Sequence, residues 1–305
     1  MREQTLDRLI RLGLKSLAVG IAAVAVIYFI ETRDKTPTLV SRQIAAAEDA
    51  VRKAPEQTGL RLRLADMYRA AKRPDDALEQ YDAVLKIEPK QGTALLGRGE
   101  VLAEREELKE AKKSFGKIVG SMKGKQFAPV DPQLEAAYYG MASVLLKEGK
   151  AKSAAVAARD ATKIEPADAD AWYLVGTADV KARRYKQGIT ALKKAVLFVP
   201  TEWCEPYEQL SKAYEAQRRK PQADYAGAMV ELCEKDPAGA TQRLEPLTKG
   251  PVAVEAMVGL GMAAELQNQR ESAKRWYRMA VAREPENFNA RTGLARLGAP
   301  VLGGK

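Results

Sequence analysis

Residues 167–200 read ADADAWYLVGTADVKARRYKQGITALKKAVLFVP, and this stretch decides how the rest of the chain is read. Pro166 precedes it and Pro200 closes it, 34 residues apart; Pro55 and Pro89 stand at the same interval. The dipeptide Glu-Pro recurs at Glu88-Pro89, Glu165-Pro166 and Glu284-Pro285. A proline cannot donate the backbone bond that continues a helix, so each one marks a helix end. Self-similarity at about 34 residues is the mark of a stacked helix-turn-helix array.

Working outward, six units share the pattern. The first carries Leu64-Ala65, Tyr68, Ala77, Tyr81 and Pro89; the second carries Gly99, Leu102, Ala111 and Phe115 but lacks a closing proline. The third has Tyr138, Met141-Ala142, Leu145, Ala154, Ala161 and Pro166, and the fourth has Trp172, Val175-Gly176, Gly188, Ala195 and Pro200. A degenerate fifth shows Tyr207, Leu210-Ser211, Tyr214 and Ala223, and a sixth shows Met257, Leu260-Gly261, Ala273, Tyr277, Ala280 and Pro285. On these residues the chain resembles the tetratricopeptide repeat (TPR) family, in which small residues let paired helices approach and a proline closes each hairpin. The expected fold is all-α: a TPR-like α-solenoid of about six helical hairpins, plus one N-terminal transmembrane helix.

The expected organisation is a cytoplasmic tail and anchor over 1–35, a connecting helix within 36–54, the array over 55–300, and a flexible tail at 301–305. Insertions interrupt the array near 120–134 and 236–252; Ala238 to Lys249 reads as a short extra helix broken near Pro246. Leu39 to Lys53 reads as a lone helix, and Phe288 to Leu297 as a cap.

Ser16 to Ile30 (SLAVGIAAVAVIYFI) is uncharged and strongly apolar. It spans about 22 Å as a helix, and Ile10, Leu12, Gly13 and Leu14, with Lys15 snorkelling, extend it toward the ~30 Å hydrocarbon core. A buried core helix and a signal peptide cleaved after Ala23-Val24-Ala25 are the competing readings; charge on both flanks and cleavage inside the apolar run count against them. An uncleaved anchor is expected. Arg2, Arg8, Arg11 and Lys15 precede it while Arg33 and Lys35 follow, so the positive-inside rule puts the N-terminus in the cytoplasm and the array outside. A single-pass inner-membrane protein with a periplasmic or extracellular array follows.

Composition narrows the function. The chain is 46% apolar and 30% charged, a globular balance, and its net charge of +10 favours an acidic partner or an anionic surface. It contains no histidine, the commonest general base and metal ligand. Neither a GxxxxGK[ST] loop nor a strand-flanked GxGxxG occurs, and two cysteines are too few for a Cys-rich metal site. Neither an enzyme nor a cofactor is expected. Basic residues are interspersed with acids, so nucleic acid is not an expected partner.

Protein is. The family's inner surface is lined mainly by the first helix of each hairpin, and there the third and fourth units repeat a set: Tyr139, Ser143 and Lys147, then Tyr173, Thr177 and Lys181. An aromatic, a hydroxyl and an ammonium one turn apart share a helix face. They would grip an extended or helical peptide and its acidic groups. A basic rim in the turns gathers Arg183, Arg184, Lys186, Arg218, Arg219 and Lys220 as a second candidate, although cations at helix ends also complement the helix dipole. The chaperone-binding version of the family clamps a C-terminal carboxylate with an asparagine among its ligands; no asparagine occupies the first helix of the first five units. Cys204 and Cys233 lie at adjoining ends of the fifth hairpin, so a disulfide is geometrically plausible and would require an oxidising compartment. The expected function is a membrane-tethered interaction scaffold or assembly factor of the bacterial envelope, whose partners are membrane or envelope proteins. The alternative is a permanent structural subunit of a membrane complex.

Overall fold

The computed structural model describes residues 38–122, 130–197 and 202–300, with positions 21 and 24. Among the described residues there are fifteen α-helices, one 3-10 helix and no strand. The expected anchor, apart from those two positions, and the 301–305 tail lie outside them. No helix among the described residues is long and apolar enough to cross a membrane.

The chain divides into two compact units, one up to Ile87 and one from Glu88 onward. The first contains α1 (Leu39–Lys53), α2 (Thr58–Ala70) and α3 (Pro74–Ile87), with α2 packed between the other two. Its core is built from Ile44, Val51, Leu64, Ala65, Tyr68, Tyr81 and Val84. Both tyrosines keep their hydroxyls satisfied, as burial demands. Tyr68 donates to Glu48 at 2.7 Å and Tyr81 to Asp66 at 2.6 Å.

The second unit runs α4 (Gly92–Glu104), α5 (Leu108–Met122), α6 (Pro132–Lys147), α7 (Ala151–Ile164), α8 (Ala169–Lys181), α9 (Tyr185–Ala195), α10 (Glu205–Ala216) and α11 (Lys220–Cys233). There follow α12 (Pro237–Leu244), the 3-10 turn Glu245–Lys249, α13 (Ala253–Leu266), α14 (Arg270–Arg283) and α15 (Phe288–Arg296). Each helix packs on its sequence neighbour, and the first helices of successive hairpins touch: α4 with α6, α6 with α8, α8 with α10. The insertion changes this. α12 packs against both α11 and α13, and the contact it leaves for the next hairpin is α13 on α11.

Two aromatic rings show what joins hairpin to hairpin. The Phe115 ring of α5 lies against Gly99 of α4 and Gly140 of α6; a Cβ built on either would stand 2.6 or 2.5 Å from it. Tyr277 of α14 repeats the arrangement between Gly261 of α13 and Gly293 of α15, each at 2.5 Å. One glycine belongs to the ring's own hairpin and the other to the next helix. The absence of both side chains is therefore what lets a large ring be buried at the junction.

Six helices that open a hairpin, and α11, end in the same device. The residue two places past α2, α4, α8, α10, α11 and α13 (Lys72, Glu106, Arg183, Arg218, Lys235 and Asn268) has φ between 56° and 64°; after α6, Gly149 takes that position at 75°. The next amide then bonds back across the helix end, as in Arg73 N to Tyr68 O at 2.8 Å and Arg184 N to Asp179 O at 2.8 Å. This closes carbonyls that would otherwise be orphaned. Most positions carry a charged side chain where glycine would be unstrained.

Candidate partner-binding surface

The third and fourth hairpins place the expected residues on α6 and α8. Both helices start on aspartate caps: Asp131 accepts from Leu134 N at 2.9 Å, and Asp168 accepts from Asp170 N at 2.8 Å and Ala171 N at 3.2 Å. Such caps satisfy amides that a helix cannot pair internally. The Asp168 cap also brings a carboxylate beside Tyr139.

Tyr139 is 36% exposed and forms part of an aromatic strip. Its neighbour Tyr173 packs on Trp203, ahead of α10, with ring centres 5.0 Å apart and planes inclined at 56°. Burial, then Asp170, Asp168 and Glu135, hold the Tyr139 hydroxyl above the ordinary tyrosine range. Glu135 itself is pushed up to about 7 by burial first, then by the charge of Asp168, a hydrogen bond to it, and Glu165. The aromatic strip thus sits at an acidic end of the surface.

The opposite end of α8 is basic. Lys181 and Arg183 line an open depression of about 470 Å³ together with Lys150 and Lys152. The groove set and the rim, separate in the sequence, therefore meet at the C-terminus of α8. The other members of the set have structural work. Lys147 Nζ donates to Ala103 O at 3.0 Å and to Glu106 at 2.8 Å, fastening α6 to the turn of the preceding hairpin. Thr177 is only 7% exposed, and its hydroxyl is buried without a hydrogen-bond partner. Ser143 is half-buried.

Within the rim, Arg183, Lys186, Arg218 and Lys220 are exposed. Arg219 lies over the Tyr214 ring at 5.0 Å. Arg184 is committed inward: it meets Asp179 at 2.6 Å, and Arg159 of α7 bonds the other oxygen of the same carboxylate. Asp179 is completely buried. It occupies the register that holds Tyr68, Leu102, Leu145, Tyr214 and Ala264 in the other hairpins, the residue whose carbonyl accepts the turn-closing amide. An acid in that apolar register was a readable signal of a buried ion pair. The acidic cluster around Glu135 had no such signal, because it assembles from two helix starts and a loop.

Cys204 caps α10 and Cys233 ends α11; both are free thiols. The adjoining helix ends bring the two thiols within hydrogen-bonding reach of each other. Burial, then a hydrogen bond to Cys204, push the Cys233 thiol up to about 12.

The tetratricopeptide repeat family profile matches residues 44–91, 62–115 and 139–201, so the chain carries TPR repeats. Among solved structures it resembles MamA at 22% identity and a TM-score of 0.52, over 60% of this chain and 95% of that one. It also resembles YrrB, described as a TPR protein with an unusual peptide-binding site, at 19% identity and a TM-score of 0.52, covering 65% of this chain and 96% of that one. A MamA fragment from Desulfovibrio magneticus RS-1 gives 24% and 0.51, over 58% and 95%. At these identities the likeness is one of fold. No curated protein matches the chain.

Proposed function

We propose that this protein is a membrane-tethered interaction scaffold that holds partner proteins against the α6–α8–α10 face. TPR repeats generally mediate protein–protein contacts, and a peptide-binding site is named for YrrB. The observation that carries the reading is the surface itself: the Tyr139–Tyr173–Trp203 strip, acidic at the Asp168 and Asp170 end, basic at Lys181 and Arg183. Aromatic rings supply contact area at low entropic cost, and separated charges of opposite sign fix the direction of a bound segment. A partner segment with basic residues at one end and acidic residues at the other fits it, rather than the uniformly acidic one that the lysines alone suggested.

The tether rests on Ser16–Ile30 and on the cations that precede it, which also orient the array outward. In an oxidising compartment a partner disulfide, itself reduced to two thiols in the exchange, would join Cys204 to Cys233; counting thiols in denatured protein taken from native membranes checks this, and two free thiols would exclude it. The partner test is affinity purification of the full-length chain from native membranes, with identification of what is retained. Tyr139→Ala, Tyr173→Ala and Lys181→Ala together should release most of it. Undiminished retention by the triple variant would remove this face as the main site. Lys147 is left unchanged, since its loss would disturb packing between hairpins.

A further inference from the structure

The insertion after α11 has a second consequence. By setting α13 against α11, it leaves a cavity of about 340 Å³ enclosed by α9, α10, α11, the start of α13 and the α14–α15 turn. This volume falls within the range of small-molecule pockets, and five elements border it, so one small molecule fits better than a length of peptide. Its apolar wall is formed by the rings of Tyr207, Tyr214 and Tyr225.

The charges around that wall are unevenly spent. Lys193 and Glu255 face each other across the cavity at 3.7 Å and largely cancel. Arg219 lies over the Tyr214 ring at 5.0 Å, and its planar guanidinium is a group that can bind a carboxylate in two places. No acid lies within ion-pairing distance of Arg219 among the described residues. Glu284 receives only a neutral donor, Asn287 Nδ2 at 3.1 Å, and so retains its charge for a cation. The cavity therefore offers one cation, one anion and an aromatic wall, with the amides of Gln222 and Asn289 beside them.

We infer that this cavity is a binding site for a small zwitterion with an aromatic body, of the class of free aromatic amino acids, with Arg219 receiving the carboxylate and Glu284 the ammonium. The cavity shares no residue with the Tyr139–Tyr173–Trp203 strip or its Lys181–Arg183 end, and neither reading depends on the other. Isothermal titration calorimetry of the full-length protein tests it with three probes: L-phenylalanine, N-acetyl-L-phenylalanine, which lacks the ammonium, and L-phenylalaninamide, which lacks the carboxylate. L-phenylalanine should bind saturably and each derivative at least ten-fold more weakly. Arg219→Ala should weaken L-phenylalanine about ten-fold yet leave the amide unchanged; Glu284→Gln should weaken L-phenylalanine yet leave the N-acetyl compound unchanged. Both residues are exposed, so the variants retain the fold, which circular dichroism verifies. Absence of saturable binding, derivatives that bind as tightly as L-phenylalanine, or variants that weaken all three probes alike would each overturn the assignment.

Discussion

Single atoms decide how closely these hairpins stack. Gly140 and Gly120 are both helical glycines, but a Cβ at Gly140 would stand 2.5 Å from the Phe115 ring, while at Gly120 it would meet nothing within 4 Å. Gly140→Ala should therefore cost about 1–3 kcal/mol through overpacking, and Gly120→Ala should stabilise by about 0.5–1 kcal/mol through helix propensity. Urea midpoints of the two variants measure the contrast; equal shifts would contradict the junction described here. Asp179 makes the electrostatic counterpart. Removing its carboxylate leaves Arg159 and Arg184 facing each other without compensation, and Asp179→Ala should cost about 3 kcal/mol, short of the largest buried-pair losses because both arginines are a third exposed.

At the scale of the element, helix starts both build the fold and set the surface chemistry. Asp168 caps α8, and the same carboxylate, together with burial, raises Glu135 on α6. The folded state therefore holds its proton on Glu135 up to about pH 7, whereas the unfolded chain releases it near 4.5, as an ordinary glutamate does. Stability from this group is present below about pH 4.5 and is lost as pH rises toward 7. Glu135→Gln should thus raise the urea midpoint at pH 8 and leave it unchanged at pH 4.5. An equal gain at both pH values would show that the side chain's charge is not the cause. The same titration adds a negative charge beside Tyr139 above pH 7, so a partner's basic end should hold more tightly there.

For the whole second unit, continuity runs through the insertion. Leu244 of α12 is fully buried and would meet a Cβ on Gly259 of α13 at 2.9 Å, with Met229 of α11 close by. In a stacked array each hairpin is stabilised by its neighbours, so weakening one junction separates what lies beyond it. Leu244→Ala should cost about 2–5 kcal/mol and expose the α13–α14 amides to hydrogen exchange before those of α6–α9. Simultaneous exchange in both regions would show that α12 is a passenger and not the link. The boundary between the two compact units falls between Ile87 and Glu88 and not at either insertion, which is consistent with α12 serving as a bridge.

Periodicity alone determined the helices. The 34-residue recurrence and the closing prolines locate the hairpins, and the lone helix read over Leu39–Lys53 coincides with α1. Small residues at Gly99, Gly176 and Gly261 were legible because they recur at one register of each unit. Their partners Gly140 and Gly293 were not, since they approach a ring contributed by the preceding hairpin. The candidate face divided in the same way. Tyr139 and Tyr173 were visible as a repeated helix position, but local spacing says nothing about what lies across a junction. Only the tertiary structure decided that Lys147 is bound to Glu106, that Thr177 is buried and that carboxylates from α6, α8 and the loop between α7 and α8 converge on the aromatics. Local backbone rules act within one helix and can be read along the chain; burial and charge act between helices and exist only once these are packed.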